Sequence, residues 1–359
     1  MSRRNELEPP GLVAHFLAHP PQGFAAFEFP GCGPGFHAVF DLLTTADPAT
    51  LRTVAALPGS GWWRRLLRLP TVFFGTTVSE YLLPDAALAA AELPAALIAH
   101  WRRRTLLLIA KDIPEPSPLL SPEEGAAATA FVAACRAQGF ILVEGQALAY
   151  VPIDFPSVEA YLGRLSAGRR KDMRRKLRAR AGLRVDVLAT GAAALADPRL
   201  LAELYRLYEA VYAQSEIHFD KLSAGFFNGV FGDAALDGRV FLYYAGEELI
   251  GFNLCFIHRG MLIDKYVGFR YPAARAHNLY FVSWMENLAY ALEQGLSHYV
   301  AGWTDPQIKA DLGARFTFTR HAVYVRNGWL RRVLARISGR FEHDRSWFAE
   351  QARGPAPGP

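Results

Sequence analysis

The chain has 359 residues, 51% of them hydrophobic and 20% charged, which excludes a mostly disordered, collagen-like or coiled-coil protein. At a working prior of about 150 residues per domain, this length suggests two domains or one duplicated unit. Lys plus Arg is 39 against 34 Asp plus Glu, a net +5, yet the segment from Arg164 to Arg180 holds nine bases and one acid, so it alone carries +8 and the remainder −3. Cys32, Cys135 and Cys255 are scattered and form no C-x-x-C pair, so neither a disulfide framework nor a metal site is expected. The opening MSRRNELEPPGLVAHF lacks the apolar core of a signal peptide, and a cytoplasmic protein is expected. No apolar run approaches the ~20 residues of a bilayer-spanning helix; the Ala/Leu stretch after Pro84 is broken by Asp85, Glu92 and Pro94.

In the first half, GCGPG (31–35) reads as a turn. From Thr71 to Asp154 the order is strand, helix, strand, helix, strand, strand: TVFFGTT, DAALAAAELPAALIAHW, TLLLIA, PEEGAAATAFVAACRA, FILVE and LAYVPID. The second half is more regular. RVDVL (184–188) alternates as a strand; Asp197-Pro198 starts a helix with Leu200, Leu204, Tyr208 and Tyr212 on one face; Ser223 caps a second helix. RVFLYYA (239–245), LIGFNLCFIH (249–258) and MLIDKYVGF (261–269) are separated by hairpin-sized turns and predict an antiparallel meander. A helix over about 278–294, stopped by Gly295, then leads to the strand LSHYVAG, a short helix after Asp305-Pro306, and the strand RFTFTRHAVYVR (315–326). A closing helix WLRRVLARISGRF and the RGPAPGP tail read as an appendage, the latter disordered.

The strand and helix order of residues 183–326 resembles that of the GNAT acyltransferases. Two such halves joined by YLGRLSAGRRKDMRRKLRARAGL are similar to the Fem-like enzymes of peptidoglycan-biosynthesis type. LYEAVYAQSEIHFDKLSAGFF resembles that family's paired helices, RYPAARAHNLYFVSWMENLAYALEQGLSHYVAG its cofactor-side helix and strand, and QIKADLG its lysine-bearing short helix. The resemblance implies an α/β fold, an α+β mixed sheet in tandem GNAT-like form. Its divisions are an N-terminal half at 1–155, a basic helical linker at 156–182, a C-terminal acyltransferase half at 183–328, and an appendage at 329–359. It further implies acyl transfer from acyl-CoA as co-substrate to an amine acceptor, such as an envelope precursor or a lipid-like amine. One departure stands out: the stretch from Arg270 to His277 lacks the glycines with which the family usually cradles pyrophosphate.

Acyl transfer to an amine needs an amine that has lost its proton, a polarised carbonyl and a held donor. On the strand MLIDKYVGF, alternation puts Asp264, Tyr266 and Gly268 on one face, making Asp264 a candidate base and Tyr266 a further catalytic candidate; Asp264 pairing with Lys265 or a cross-strand arginine is the competing reading. In the loop QSEIHFDK, Glu216 and His218 offer acceptor contact and proton removal, or simply exposure. Arg270, Arg275 and Asn278 stand where a helix start favours an anion, or are solvated loop residues. The resemblance assigns Lys309 a role beside substrate or phosphate, and Trp303 and Thr304 either wall the same cleft or, for Trp303, pack in a core. Eight net charges in seventeen residues repel unless an anion is near, so Arg169, Arg170 and Arg174 are candidates for binding coenzyme A, tRNA or anionic lipid; a solvated helix with Met173 and Leu177 inward is the alternative. The clusters GWWRRLLRLP (61–70) and HWRRR (100–104) read either as peripheral membrane contacts or as amphipathic core helices. Two rival functions follow: aminoacyl-tRNA as donor, which the absence of a long helical arm disfavours, and a non-catalytic module binding nucleic acid or membrane through the basic linker.

Overall fold

The structure, a computed structural model, describes residues 2–41, 67–101, 105–215, 218–329 and 331–332. Its elements in chain order are α1 (Gly11–Ala18), β1 (Ala25–Phe29), β2 (Gly33–Asp41), β3 (Arg68–Phe74), α2 (Leu93–Trp101), β4 (Leu107–Pro114), α3 (Pro122–Ala137) and β5 (Ile141–Pro152). There follow α4 (Val158–Gly163), α5 (Ala167–Leu177), β6 (Arg184–Ala189), α6 (Pro198–Tyr212), α7 (Ala224–Gly232), β7 (Gly238–Ala245), β8 (Glu248–His258) and β9 (Met261–Phe269). The last are α8 (Ala273–Ala276), α9 (Leu279–Glu293), β10 (His298–Gly302), α10 (Pro306–Asp311) and β11 (Arg315–Val325). Among the described residues no helix is long and apolar enough to cross a membrane.

The chain folds as two compact units that do not follow its linear halves. The first holds Met1–Glu6, Gly23–Ala147 and the chain from Thr317 onward; the second holds Leu7–Gln22 and Leu148–Phe316. The N-terminal helix α1 packs with the second unit, and most of β11 lies in the first, paired with β4. In the first unit the strand order is β1-β2-β3-β4-β11-β5, with β3 and β4 parallel. Its core gathers Phe29, Phe74, Trp101, Leu108, Phe131 and Phe140.

In the second unit the order is β5-β10-β9-β8-β7-β6: an antiparallel meander β6 to β9, with β10 parallel to β9 and antiparallel to β5. The helices begin where polar caps stand. Asp197 accepts from the Arg199 N–H ahead of α6, and Ser223 accepts from the Phe226 N–H ahead of α7. Apolar stripes then bury Leu204, Leu207 and Tyr208 of α6, and Leu279, Val282, Leu288 and Ala291 of α9.

Several expectations change on folding. FILVE and LAYVPID form one strand, β5, because Gly145 is a point of close approach and not a turn: a Cβ there would lie 2.2 Å from Thr319 Oγ1. The helix expected after Pro84 forms only from Leu93, with Pro94 in its first turn, since proline lacks the N–H that an interior position needs. In GCGPG, Gly31 and Cys32 turn, while Gly33 to Gly35 open β2, which with β1 adds a hairpin that the periodicity did not disclose. Most of the closing helix, its tail and most of the GWWRRLLRLP and HWRRR clusters lie outside the described residues.

Candidate functional site

The parallel ladder between β9 and β10 has only three pairs, His298↔Met261, Tyr299↔Leu262 and Val300↔Ile263. Beyond Ile263 and Val300 the strands part. Each strand is irregular at that place. On β9 the register shifts so that Leu254 faces Tyr266 while Cys255 faces Asp264, which makes Lys265 a bulge residue. On β10 the shift falls between Val300 and Gly302 against β5.

The β9 bulge decides where side chains point. Alternation put Asp264 and Tyr266 on one face; the extra residue puts them on opposite faces. Tyr266 packs edge-on against Phe226 and Phe227 of α7, with ring centroids at 5.8 and 5.3 Å. Asp264 turns toward α9. Its carboxylate accepts from Asn253 Nδ2 at 3.1 and 3.2 Å, Asn287 Nδ2 at 2.9 Å and the Tyr299 hydroxyl at 2.8 Å, with the Cys255 thiol at 3.7 Å. Burial raises the Asp264 pKa above the usual carboxylate range; the hydrogen bonds from Tyr299 and Asn253 and the charge of Lys309 pull against that rise without cancelling it. Burial and the adjacent Asp264 also push the Cys255 thiol and the Tyr299 hydroxyl well up, so both stay protonated as donors.

Lys309 forms the facing side. It is 4% exposed although it lies on a helix of one and a half turns, and its Nζ donates to the Ala301 carbonyl at 2.6 Å. Ala301 is the residue left over by the β10 bulge, so its carbonyl is available to the ammonium. Gly302, at φ 76°, lies between the two sides: a Cβ there would stand 3.8 Å from the Asp264 carbonyl oxygen and 3.9 Å from Lys309 Nζ. A buried carboxylate of raised basicity and a buried ammonium thus flank the point where the strands separate. The first can accept a proton and the second can stabilise developing negative charge.

The other expected site residues are distributed differently. His218 is exposed, its ring edge-on to Tyr212 at 5.1 Å, on the side of α6, which packs on the face of β9 opposite to Asp264. Glu216 lies outside the described residues. Arg270 pairs with Glu203 and, at 3.2 Å, with Glu248, and donates to the Leu249 carbonyl. Arg275 is exposed, donates to Gln214 Oε1 at 2.7 Å and lies over the Tyr271 ring. Asn278 caps α9 in a left-handed conformation, φ 49°, without a side-chain cap bond. Trp303 is half-buried and Thr304 exposed.

The loop from Arg270 to Asn278 is internally closed. The N–H groups of Ala274, Arg275, Ala276, His277 and Asn278 all donate to carbonyls of Arg270, Pro272, Ala273 or Arg275. None of those five amides is left over for a phosphate.

The basic segment finds its anions within the protein. Arg164 pairs with Asp154, Arg169 with Asp311, Arg174 with Glu159, Arg175 and Lys176 with Asp172, and Arg180 with Glu286. Arg170 donates to the carbonyls of Gly163 and Leu165, and Lys176 lies 3.5 Å from the Phe281 ring centroid. Met173 is buried and Leu177 partly so, as the helical spacing implied. These pairs are mostly exposed and individually weak, but together they relieve the repulsion that a bare +8 segment would carry.

Residues 167–310 match the family model described as an acetyltransferase (GNAT) domain. This span has the pattern of a GNAT acetyltransferase domain. The matched span starts at the basic helix α5 and includes every residue just placed around Asp264, with Lys309 next to its end. None of the curated proteins matches the chain. Among solved structures, it is similar to L-PGS from Bacillus licheniformis at 11% identity and a TM-score of 0.51, over 95% of this chain and 98% of that one, a likeness of fold. FemX aligns at 13% identity and 0.49, over 93% and 100%, and a tandem GNAT protein from the clavulanic acid biosynthesis pathway at 13% and 0.41, over 89% of each chain.

Within the GNAT unit, Asn253, Asn287 and Tyr299 are the residues that sequence reasoning missed. A signal existed for two of them. Asn253 sits in the apolar run LIGFNLCFIH and Asn287 in the apolar face of α9, and a polar side chain at such a position requires a partner. Removing one donor should move the carboxylate in a known direction. Tyr299→Phe deletes a hydrogen bond that lowers the Asp264 pKa, so the acid limb of a pH–rate profile should shift to higher pH; an unmoved limb would separate Asp264 from that limb.

Proposed function

We propose that the GNAT unit is an N-acyltransferase that moves an acyl group from an activated ester or thioester to an amine. The observation that supports this reading is the separation of β9 and β10 with Asp264 on one side and buried Lys309 on the other. The amine nitrogen attacks the acyl carbon, forming C–N as the C–S or C–O bond to the leaving group breaks. Asp264, made more basic by burial, accepts the proton that nitrogen loses. Lys309, whose Nζ donates to the Ala301 carbonyl, brings its positive charge to the oxyanion or the leaving group. Lys309→Ala should therefore lower turnover at least tenfold with the fold retained. Unchanged turnover would remove Lys309 from the reaction.

For the donor, acyl-CoA is the reading that the family resemblance suggests, but the closed loop before α9 favours an aminoacyl ester, as on tRNA. A pyrophosphate could not use the amides of residues 274–278 unless the loop opened. Native mass spectrometry with a panel of acyl-CoA species, followed by thiol release with amine pools, separates the two donors. Retention of acyl-CoA and thiol release would favour the thioester; retention of neither, with turnover of an aminoacyl ester, would favour the second reading. A purely binding role for the basic helix receives less support, because five carboxylates of the chain already face it.

A further inference from the structure

The sheet of the second unit ends at β6, which pairs with β7 and with no further strand among the described residues. Its six pairs, from Arg184↔Tyr244 to Ala189↔Arg239, run without a shift, so alternate residues of β6 point their main-chain groups away from β7. Neighbouring bonds fix which ones. The Thr190 N–H donates to the Gly238 carbonyl at 3.1 Å and the Gly238 N–H to Thr190 Oγ1 at 3.0 Å, so Thr190 and, by alternation, Leu188, Asp186 and Arg184 turn toward β7. The Ala189 carbonyl accepts from the Ala192 N–H at 3.1 Å, away from the ladder. Val185, Val187 and Ala189 therefore present their main-chain groups to the open edge, and of these only the Ala189 carbonyl has a partner among the described residues.

Sheet edges are ordinarily blunted by lysine, proline, a bulge or extreme shortness. RVDVLA has neither lysine nor proline and its ladder has no bulge. Its two charges, Arg184 and Asp186, form an ion pair, so the edge carries no net charge to repel a copy of itself. The side chains give the same reading. Val185 packs against the core opposite buried Tyr243, but Val187, opposite buried Phe241, is 43% exposed. A second β6 laid antiparallel would cover it, and the register can be derived. Centring the pair on Val185 sets Val187 against Leu183, whose N–H and carbonyl are already bonded to Arg180. Centring it on Asp186 puts two carboxylates directly opposite each other, which is destabilising. Centring it on Val187 avoids both faults: each Val187 exchanges its bonds with its copy, each Ala189 N–H reaches a Val185 carbonyl, and the exposed valines meet on the core face.

We propose that β6 is a self-association edge, at which two copies of the chain pair antiparallel about a twofold axis through Val187. Sedimentation velocity of the full chain over a concentration series tests it, with Val187→Pro and Val187→Lys beside the native protein. The proline deletes an N–H that the chain itself does not use, and an edge strand tolerates proline there, so circular dichroism should show the fold intact. The lysine keeps that N–H and sets like charges at the axis, which preserves the test if the proline variant does not fold. The native protein should show a concentration-dependent monomer–dimer equilibrium, weakened at least tenfold in each variant. Cross-linking reads the register. Val187→Cys should give a disulfide-linked dimer on oxidation, because hydrogen-bonded antiparallel pairs hold their Cα atoms about 5.5 Å apart, within disulfide reach. The native cysteines are buried and do not compete. A monomer at every concentration, a dimer undiminished in either variant that folds, or cross-linking of Asp186→Cys in preference to Val187→Cys would overturn the proposal. So would a monomer whose edge instead accepts a strand of another protein.

Discussion

Asp264→Asn is expected to lower acyl transfer by about 10²–10⁴-fold, the range that a positioned general base contributes, while the fold survives. The variant keeps the side chain's size but loses its ability to accept the amine proton. Its stability should not fall with its activity. The Asp264 pKa is raised in the folded protein, so whatever stability this residue contributes is fully present below the unfolded carboxylate range and is lost as pH rises through the folded value. A neutral asparagine removes that loss. Its new N–H groups can also reach toward Asn253 Oδ1 and Asn287 Oδ1, both buried and without partners among the described residues. Urea unfolding across that window should show the variant gaining on the native protein as pH rises. Full activity in Asp264→Asn would remove the base from the mechanism, and a collapse of stability at neutral pH would recast Asp264 as structural.

The second large effect concerns the bulge itself. Lys265 is 5% exposed at its side chain and meets Glu8, 3% exposed, at 3.1 Å, within the second unit. This pair ties the segment Leu7–Gln22 to the bulge residue next to Asp264. Lys265→Met takes away the cation that faces a buried carboxylate, and breaking such a pair from one side costs about 3–5 kcal/mol. Replacing both partners with uncharged residues, Glu8→Gln with Lys265→Met, should recover much of that, because the cost comes from a stranded charge and not from a lost attraction. Thermal or chemical unfolding of the single and double variants measures the difference. Equal losses in both would mean that packing around the lysine stem, not its charge, holds the segment.

What the sequence disclosed and what it hid divide along physical lines. The meander β7 to β9 and the helices α6, α7 and α9 were legible because their apolar periods, caps and glycine turns act locally. Lys309 and Asp264 stood out through the family's pattern and as polar residues among apolar ones. The β9 bulge was not legible, since register is set between strands, and it reversed the expected companionship of Asp264 and Tyr266. The carboxylates that face the basic segment were equally hidden: Asp311 and Glu286 lie more than a hundred residues away in sequence and meet Arg169 and Arg180 only after folding. β5 was split in two because Gly145 looks the same in a turn and at a close strand crossing.

Under the proposed mechanism the acyl group reacts where β9 and β10 separate. A crystal structure of the full chain with a stable analogue of the donor tests it most directly, using the thioether analogue of acetyl-coenzyme A and an amide analogue of an aminoacyl adenosine in parallel. The expected result is an acyl carbon seated between Asp264 and Lys309, with Nζ turned toward the acyl oxygen or the leaving atom. An analogue bound elsewhere in the second unit, with the Lys309 Nζ bond to Ala301 unchanged, would contradict it.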